Sequence, residues 1–226
     1  MNIERTDGII KEKKEIFDAF RALILEYNQK FNLTTILEEK DMYYKHFYDS
    51  AAGAFLFENS SKIAEIGSGA GFPSIVLKIV NPSLEFSLFE SVGKKCEFLH
   101  AVVDKLGFQG MHIYNIRAED ALKEKIHREQ YDFATARAVA RMNTLTEYCL
   151  PFVKVGGKFV AYKSGETEEI DEAKNAYKVL GGKLAKTYEY ELPENYGKRI
   201  LAVVEKVKNT PPQYPRGQGK ERKQPL

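Results

Sequence analysis

Residues 62–73, with the sequence KIAEIGSGAGFP, constrain the fold of this chain more than any other stretch. Ile63, Ala64 and Ile66 form a short apolar run of the kind found in buried strands. Pro73 has a fixed φ that suits the first turn of a helix. The stretch therefore predicts a buried strand, a tight turn and a helix, around which the rest of a sheet is built.

Three glycines, Gly67, Gly69 and Gly71, occupy the predicted turn. Glycine lets the backbone turn tightly and approach a ligand, and a helix N-terminus offers unpaired N–H groups to an anion. The turn is therefore a candidate cofactor site, and the alternative is a turn that merely joins strand to helix. Phe72 stands where the dinucleotide fingerprint needs a small residue, and Phe72-Pro73 lacks the Lys-Ser or Lys-Thr pair of a P-loop. A dinucleotide-binding site and a P-loop phosphate site are therefore both disfavoured.

The length of 226 residues suits one α/β domain with a modest extension. Apolar residues at 43% and charged residues at 29% are ordinary globular values, and no window approaches the apolar length of a membrane span. Residues 1–10 lack the features of a signal peptide. The sequence predicts a soluble, cytoplasmic protein that does not associate with membranes.

The cysteines and histidines give no sign of a metal site. Cys96 and Cys149 lie 53 residues apart without a Cys-x-x-Cys motif, and the 4 histidines show no metal-ligand spacing. A disulfide framework, a zinc site and an iron–sulfur cluster are all poorly supported, and no bound metal is expected.

The apolar pattern predicts helices at the N-terminus and an α/β core after them. An amphipathic helix is predicted over the first thirty residues and a second helix over residues 41–56. Further helices are predicted through Ile126 after the third strand and over residues 166–180. Strands are predicted over residues 63–66, 84–89, 111–114, 131–136, 158–163, 184–192 and 200–207.

The connection between the last two strands, residues 193–197, has no room for a crossover helix, so this pair must be antiparallel. The predicted fold class is α/β, with a Rossmann-like seven-stranded sheet of five parallel strands and an antiparallel terminal pair. The N-terminal helices are expected to form a cap on this sheet.

Polar residues follow the second and third strands. Glu90 ends the second strand 19 residues after Gly71, where a carboxylate can accept hydrogen bonds from ribose hydroxyls. The alternative is an exposed Glu at a strand end. Ala118, Glu119 and Asp120 follow the third strand, where they can contact an adenine. Alternatively, the two acidic residues simply favour the first turn of a helix.

The last nineteen residues, 208–226, carry five Lys or Arg residues against one Glu, together with four prolines. This composition predicts a basic extended tail. It is either a solubilising end or an arm that neutralises nucleic-acid phosphates. If it is an arm, deletion of residues 215–226 is expected to weaken nucleic-acid binding and to leave cofactor affinity unchanged.

Short motifs along nearly the whole chain together resemble one family. They are Asn32-Leu33-Thr34, Asp49-Ser50, residues 67–73, Ser91 with Lys94-Lys95 and Phe98-Leu99, Arg117-Ala118-Glu119, Arg137-Ala138-Val139-Ala140, Tyr214-Pro215-Arg216 and Pro225-Leu226. Their order and spacing resemble the ribosomal RNA small subunit methyltransferase G family, also called glucose-inhibited division protein B. It is a class I S-adenosylmethionine-dependent methyltransferase family.

The resemblance implies methyl transfer from S-adenosylmethionine to N7 of a guanine in 16S rRNA, guanine 527 in conventional numbering. The substrate would be the small ribosomal subunit or its precursor, and the enzyme a monomer. The implied division is a helical extension (1–60), a cofactor-binding methyltransferase domain (61–207) and the basic tail (208–226). The expected cofactor-binding residues are Gly67, Gly69, Gly71, Phe72, Glu90, Ser91, Ala118, Glu119 and Arg137.

Two departures from the family pattern bear on these expectations. Glu90 stands where the family usually carries Asp, which affects the ribose contact. Gly219-Lys220-Glu221 replaces a usual Gly-Thr-Pro, which affects the conformation of the tail.

The motifs that are missing also restrict the chemistry. No Pro-Cys turn is present for C5 methylation of a pyrimidine, and no Asn-Pro-Pro-Tyr-like run follows the fourth strand for amino-group methylation. Guanine N7 already has an in-plane lone pair at neutral pH, so its methylation needs no general base. Catalysis can then rest largely on the positioning of two bound reactants.

Arg137, which directly follows the fourth strand, is the candidate catalytic residue. Its guanidinium can hold the methionine end of the cofactor, donate to guanine O6 or stack on the base. The alternative is a structural ion pair with a carboxylate such as Glu119. If Arg137 is catalytic, Arg137→Lys keeps the charge but loses the planar guanidinium, so methyl transfer is expected to fall while the thermal midpoint stays almost unchanged. Lys163, at the end of the fifth strand, is expected to line the RNA face or to be a snorkelling surface lysine.

Two other classes of protein share part of the pattern. A nicotinamide-dependent oxidoreductase has a similar glycine turn and ribose carboxylate, but Phe72 and the antiparallel ending oppose it. A non-catalytic ribosome-associated RNA-binding protein can use the basic tail without the glycine turn.

Overall fold

A seven-stranded sheet organises the protein, seen in a computed structural model that describes residues 3–165 and 167–226. The strands are β1 (Lys62–Ile66), β2 (Glu85–Glu90), β3 (Met111–Asn115), β4 (Tyr131–Arg137), β5 (Val153–Ser164), β6 (Gly182–Glu191) and β7 (Lys198–Lys206). Their order is β3-β2-β1-β4-β5-β7-β6. Strands β1 to β5 pair in parallel, and β7 is antiparallel to both β5 and β6. The predicted fold class, including the antiparallel terminal pair, is confirmed.

Helices cover both faces of the sheet. They are α1 (Thr6–Glu12), α2 (Lys14–Asn28), α3 (Glu39–Met42), α4 (Asp49–Ala52), α5 (Ser74–Val80), α6 (Gly93–Leu106), α7 (Ala118–Ala121), α8 (Met142–Cys149), α9 (Glu168–Glu172), α10 (Lys174–Leu180) and α11 (Lys220–Lys223). A π-helical stretch, Tyr43–Tyr48, joins α3 to α4. Short 3₁₀ turns lie at Ile3–Arg5, Ala54–Leu56, Leu150–Phe152 and Pro193–Asn195. Within the described residues, no helix combines the length and apolar composition that crossing a bilayer requires.

Successive side chains of a strand point to opposite faces of the sheet, so the core consists of two layers, one on each face. In β5, Val160 and Tyr162 belong to the cluster on the α5–α6 side, whereas Phe159 and Ala161 belong to the cluster on the α8–α10 side. A parallel sheet covered on both faces needs strands that are apolar throughout, which explains the nearly continuous apolar runs of the central strands.

The N-terminal helices lie on the α5–α6 side of the sheet. The apolar face of α2 carries Phe17, Phe20 and Ile24, all buried. Phe20 stacks on Phe98 of α6 with ring centroids 6.5 Å apart, and Phe17 packs on Phe47 at 5.0 Å. The amphipathic N-terminus therefore buries its apolar face against the α/β core, which brings the π-helical stretch close to the end of β4.

The predicted N-terminal helix is interrupted. At Lys13 the backbone leaves the helical conformation (φ −103°, ψ 24°), and the carbonyl of Lys13 then accepts hydrogen bonds from the N–H groups of Ile16 and Phe17. The chain therefore restarts as α2. The second predicted helix likewise differs at its ends, because it begins at Glu39 and its α-helical part ends at Ala52.

The predicted helix through Ile126 is wrong. After Ala121 the backbone hydrogen bonds change to the tighter i to i+3 pattern, with Glu124 N–H bonded to Ala121 O at 3.0 Å. Ile126 is 68% exposed. An apolar residue that faces solvent gives no packing energy to extend the helix, so α7 stays short.

Strand β5 begins earlier than predicted. It starts at Val153, and its pairing with β4 jumps from Tyr131–Val153 to Phe133–Lys158 across an irregular segment. A Cβ atom on Gly157 would lie 2.7 Å from Val153 Cγ1, so glycine permits this close approach. Gly156 and Gly157 therefore lie inside the strand.

The helix predicted over residues 166–180 consists of two helices, α9 and α10, which meet at Ala173. Ala173 has a non-helical ψ of 6°. Glu166, where the prediction began, lies outside the described residues. Gly181 ends α10 in the left-handed conformation (φ 85°), as expected for a glycine C-cap.

Replacement of Gly71 by alanine tests the packing of α5. Gly71 has φ +82°, and a Cβ atom would collide with Ile75 Cγ1 and lie 3.2 Å from Leu99 Cδ2. We expect Gly71→Ala to lower the free energy of unfolding by about 3 kcal/mol, from backbone strain and overpacking. Urea denaturation measures this change.

Gly8→Ala is the matched control, because Gly8 is exposed in α1 with no atom near its Cβ position. It should raise the free energy of unfolding by about 0.5–1 kcal/mol. A Gly71→Ala protein as stable as the parent would contradict the packing described for α5.

Candidate functional site

The glycine turn joins the carboxyl ends of β1 and β2. The N–H of Gly67 donates to Phe89 O at 2.8 Å, and the N–H of Gly69 donates to the Glu90 carboxylate at 2.9 Å. Gly67, Gly69 and Gly71 all have positive φ (70°, 56° and 82°), a conformation that other residues rarely adopt. The sequence prediction of a tight glycine turn between strand and helix is confirmed.

The three glycines face different surroundings. A Cβ atom on Gly67 would lie 2.7 Å from Val139 Cγ2, and one on Gly71 would collide with Ile75. A Cβ atom on Gly69 would have only Gly67 O nearby, at 3.8 Å. Gly67 and Gly71 therefore allow close packing inside the protein, whereas Gly69 exposes backbone to an open space that a ligand can occupy.

The start of α5 is occupied by a side chain of the chain itself. Buried Glu65 accepts hydrogen bonds from the N–H of Ser74, at 3.0 Å, and from the Ser74 hydroxyl. The N–H of Ile75 donates to Gly71 O at 2.9 Å. Burial raises the pKa of Glu65 to about 7. Because these N–H groups are already used, the helix start offers less to a phosphate than the sequence suggested.

Glu90 connects β2 to the glycine turn. Its carboxylate is 6% exposed and accepts hydrogen bonds from the N–H groups of Gly69 (2.9 Å) and Val92 (2.8 Å), one on each oxygen. Each carboxylate oxygen has a second lone pair that can accept a ribose hydroxyl. Ser91, the next residue, is exposed at the same edge. The longer side chain of Glu, where the family usually carries Asp, is thus held in one orientation by the backbone.

Ala118 and Glu119 lie at the start of α7, immediately after β3. Strand β3 pairs in register with β2, with Asn115 opposite Glu90. Asn115 also donates from Nδ2 to Glu90 O at 3.0 Å, which fixes the two strand ends together. Glu119 lies 3.8 Å from Arg117 and is in the first turn of α7. This position fits the predicted helix-dipole contact, and the adenine contact stays a prediction.

Arg137, the last residue of β4, is held by four groups. Its guanidinium donates to Asp49 Oδ2 (3.0 Å), Lys45 O (3.0 Å) and His46 Nδ1 (2.9 Å). It also lies over the ring of Phe72, 5.0 Å from the centroid. The Arg137 side chain is 12% exposed. The residue therefore connects the glycine turn to the N-terminal helices.

His46 stacks on Phe72 and is electrically neutral. The two rings lie 4.3 Å apart with an interplanar angle of 21°. Nδ1 of His46 lies 2.9 Å from Arg137 Nη2, which can only donate, and 3.2 Å from Lys45 O, while Nε2 lies 3.1 Å from Thr34 Oγ1. Desolvation and the nearby Arg137 lower the pKa of His46 to about 3. The imidazole therefore stays uncharged at neutral pH.

The sequence does not identify His46 or Asp49 as members of this site. The structural ion pair given as the alternative role of Arg137 is present, but its carboxylate belongs to Asp49 and not to Glu119. Asp49 is buried, and its other oxygen accepts the Tyr190 hydroxyl at 2.7 Å. One signal in the sequence could have indicated this role. Asp49 is a carboxylate on the apolar side of the helix predicted over residues 41–56, and a buried carboxylate requires a partner.

Lys163 does not extend into solvent as a snorkelling lysine. Its side chain is 9% exposed, and its ammonium donates to Ala140 O at 3.0 Å and pairs with Glu169 at 2.9 Å. It therefore fixes the loop that follows Arg137.

A cavity of about 330 Å³ lies beside Arg137 at the carboxyl ends of β4 and β5. It is lined by Ile36, Lys45, His46, Asp49, Arg137, Ala138, Tyr162, Lys163, Ser164 and Arg199. Its four cationic side chains all have carboxylate partners: Arg137 and Arg199 contact Asp49, Lys45 pairs with Asp41, and Lys163 pairs with Glu169. The N–H groups that these pairs leave over can still donate hydrogen bonds to an electron-rich ligand.

The sheet order, with a glycine turn after β1 and a carboxylate after β2, defines a class I methyltransferase fold. The crystal structure of M. jannaschii TYW2 in complex with AdoMet has a similar fold, with a TM-score of 0.57 and 12% sequence identity. The match covers 70% of this chain and 75% of that chain. At this identity the likeness concerns the fold alone.

Sequence comparisons identify the family. The family model for rRNA small subunit methyltransferase G matches residues 13–195. The ribosomal RNA small subunit methyltransferase G of Brevibacillus brevis is 48% identical over 97% of this chain and 93% of the relative. That of Staphylococcus aureus is 45% identical over 100% of this chain and 93% of the relative. The chain belongs to the rRNA small subunit methyltransferase G family, as its motifs suggested.

The neutral state of His46 predicts a dependence of stability on pH. Its pKa is about 3 when folded and about 6.5 when unfolded, so only the unfolded chain gains a proton between these values. Stability contributed by His46 is present above pH 6.5 and is lost as the pH falls towards 3. The loss should reach up to about 1.4 kcal/mol per pH unit.

Urea denaturation at pH 4.5, 5.5, 6.5 and 7.5 measures this loss, with His46→Gln as the comparison. The variant should show a flatter profile, because glutamine has no proton to gain. His100→Gln is the control, since His100 is exposed on α6, and it should keep the parent slope. Equal slopes for the parent and His46→Gln would contradict the assignment.

Proposed function

We propose that this protein transfers a methyl group from S-adenosylmethionine to N7 of a guanine in 16S rRNA, guanine 527 in conventional numbering. The observation that carries this proposal is the position of Arg137 between the glycine turn and an open cavity lined by hydrogen-bond donors. Family membership supports small-subunit rRNA as the substrate. A ribosomal substrate also supports action in the cytoplasm on the small subunit or its precursor, by a monomeric enzyme.

The residues at the glycine turn fit this cofactor. Gly69 leaves its backbone open, and the Glu90 carboxylate keeps lone pairs for two ribose hydroxyls. S-adenosylmethionine has a ribose and no phosphate, which agrees with a helix start that Glu65 already occupies. Ala118 and Glu119 lie where the adenine would be held, next to the ribose side of the site. The same helix start disfavours a nicotinamide dinucleotide, which presents a pyrophosphate there.

The cavity beside Arg137 suits the acceptor base. A nucleotide turned out of an RNA loop can place a single base in a pocket of this kind. The guanidinium of Arg137 uses three of its five N–H groups in the hydrogen bonds described, which leaves Nε–H and one Nη2–H. These groups can donate to guanine O6 or to the carboxylate of the cofactor. Arg137 thus has the contacts of a catalytic positioning group for both reactants.

The chemistry requires orientation more than proton transfer. S-adenosylmethionine, when bound, supplies a methyl group activated by a sulfonium. A bond forms between guanine N7 and the methyl carbon, the carbon–sulfur bond breaks, and its electron pair stays on sulfur. No proton is released, so a general base is unnecessary, and His46 with its lowered pKa is not needed as one. Holding the two reactants in line can supply about 7–11 kcal/mol of the barrier reduction.

Exposed cationic side chains of the tail can form ion pairs with the RNA phosphates around the target base. Lys208, Lys220, Arg222 and Lys223 are exposed, and the last three belong to α11. They form a short basic surface that can neutralise RNA phosphates. In this scheme residues 1–60 form a helical extension, residues 61–207 bind the cofactor and residues 208–226 contact RNA.

Nucleoside mapping tests the proposed function. Purified protein and S-adenosylmethionine are added to 30S subunits from cells that lack the protein, and digested 16S rRNA is examined by mass spectrometry. We expect one 7-methylguanosine, at guanine 527. Isothermal titration with S-adenosylmethionine alone should release heat. A protein that binds rRNA without such heat or methylation would be a non-catalytic RNA-binding protein, and the proposal would be withdrawn.

Replacement of Arg137 by lysine tests the site. Lysine keeps the charge but cannot reach Asp49, His46 and the reactants together, so the single-turnover rate on 30S subunits should fall at least tenfold, about 1.4 kcal/mol. The buried partners also lose donors. We therefore expect the free energy of unfolding to fall by about 3 kcal/mol, in contrast to the unchanged thermal midpoint that the sequence suggested.

Arg141→Lys is the matched control, because Arg141 is exposed and pairs with Glu172 on the surface. Its rate should stay within twofold of the parent. Rates are compared at a temperature where each protein is folded, so that stability and catalysis are separated. An Arg137→Lys protein with the parent rate would remove Arg137 from the catalytic site.

A further inference from the structure

A second cavity, of about 760 Å³, lies between α7 and the C-terminal tail. One wall comes from α7 and the turn after it, including Glu119 and Arg128, and the other comes from the tail. The tail residues that line it are Pro212, Tyr214, Pro215, Arg216, Gly217, Gln218 and Gly219. Glu119 is the residue that the proposed function places beside the adenine. The tail therefore faces the adenosine end of the proposed cofactor site.

This part of the tail is anchored to the protein core. Arg216 donates from its backbone N–H (2.9 Å), Nε (3.0 Å) and Nη2 (2.7 Å) to the carboxylate of Glu147. Glu147 lies on α8 and is completely buried. Removing either partner would leave a buried charge unpaired, so the contact holds the loop firmly in place. The Arg216 charge is neutralised by Glu147 and is not a free cation for an RNA phosphate.

Arg128 connects the tail to the α7 side of the cavity. Its guanidinium donates to the carbonyl oxygens of Tyr214 (2.8 Å), Thr210 (3.0 Å) and Pro211 (3.2 Å). These bonds hold the backbone of the tail at a fixed distance from the turn after α7. Both walls of the cavity are thus built from the same hydrogen-bonded network.

The helix α11 continues the tail towards the glycine turn. The hydroxyl of Thr144 on α8 donates to Glu221 O at 2.8 Å. Arg222 approaches Val139 O at 3.5 Å, and Val139 is the residue that packs against Gly67. The tail therefore contacts elements on both sides of the site, α7 at one end and the loop after β4 at the other. The sequence alone suggested a basic extended arm, but a helical turn and buried anchors give the tail a fixed shape.

We propose that residues 212–219 form a wall of the cofactor site and close over the adenosine part of S-adenosylmethionine. Tyr214 is the principal contributor, because it lines the cavity and packs partly buried against the core. The inference rests on the proposed function. It changes the expected result of tail removal, since cofactor affinity should fall along with RNA affinity.

Isothermal titration with S-adenosylmethionine tests the wall. Tyr214→Ala should raise the dissociation constant at least fivefold. The matched control, Lys220→Ala/Lys223→Ala, removes two exposed tail cations outside the cavity lining and should stay within twofold of the parent. Binding to 30S subunits should show the reverse pattern, with the larger loss in the lysine variant. A Tyr214→Ala protein that binds the cofactor as the parent does, or that loses only RNA affinity, would overturn the proposal.

Amide hydrogen exchange of the unmodified protein gives a second test that needs no variant. Addition of S-adenosylmethionine should slow exchange in residues 212–219, and unchanged exchange there would overturn the proposal even if Tyr214→Ala does not fold. These experiments separate failure of the proposed function from failure of the proposed wall. No heat with the parent protein would refute the proposed function itself, whereas parent binding with no response in the tail would refute only the wall.

Discussion

The ion pair between Asp49 and Arg137 determines how the site is assembled. It joins α4, in the N-terminal helices, to the end of β4 across 3.0 Å, and both side chains are largely withdrawn from water. Burying two charges carries a desolvation penalty that only good hydrogen-bonding geometry can offset. The Tyr190 hydroxyl also donates a hydrogen bond to Asp49, and Arg137 forms further hydrogen bonds with His46 and with the carbonyl oxygen of Lys45. The N-terminal helices therefore contribute residues to the candidate site as well as covering the sheet.

The same network explains why Phe72 replaces the small residue of a dinucleotide site. Phe72 packs against Phe20 of α2 at 5.4 Å, stacks on His46 and supports the guanidinium of Arg137. A small residue at position 72 would remove the aromatic ring against which the Arg137 guanidinium packs. Phe72, which counts against a nicotinamide cofactor, thus also has a structural role, because it connects the glycine turn to the N-terminal helices.

Features set by local chemistry were predictable from the sequence, and features set by distant partners were not. The glycine turn and the antiparallel pairing of the last two strands follow from residue types close together in the chain. The Asp49–Arg137 pair joins positions 88 residues apart, and Glu147–Arg216 joins positions 69 apart, so no local pattern indicates either. Helix ends such as that of α7 depend on whether a residue like Ile126 finds a core to pack against.

The electrostatics of the edge agree with methyl transfer to a neutral base. The proposed reaction removes one positive charge from sulfur and creates one on the methylated guanine, so the net charge of the bound reactants is unchanged. Because such a step transfers no proton, the groups that hold Arg137 can keep fixed charges throughout it. Asp49 and Arg137 compensate each other, and desolvation keeps His46 neutral. The groups that hold the reacting edge are thus arranged to keep a constant charge, and catalysis can rest on geometry.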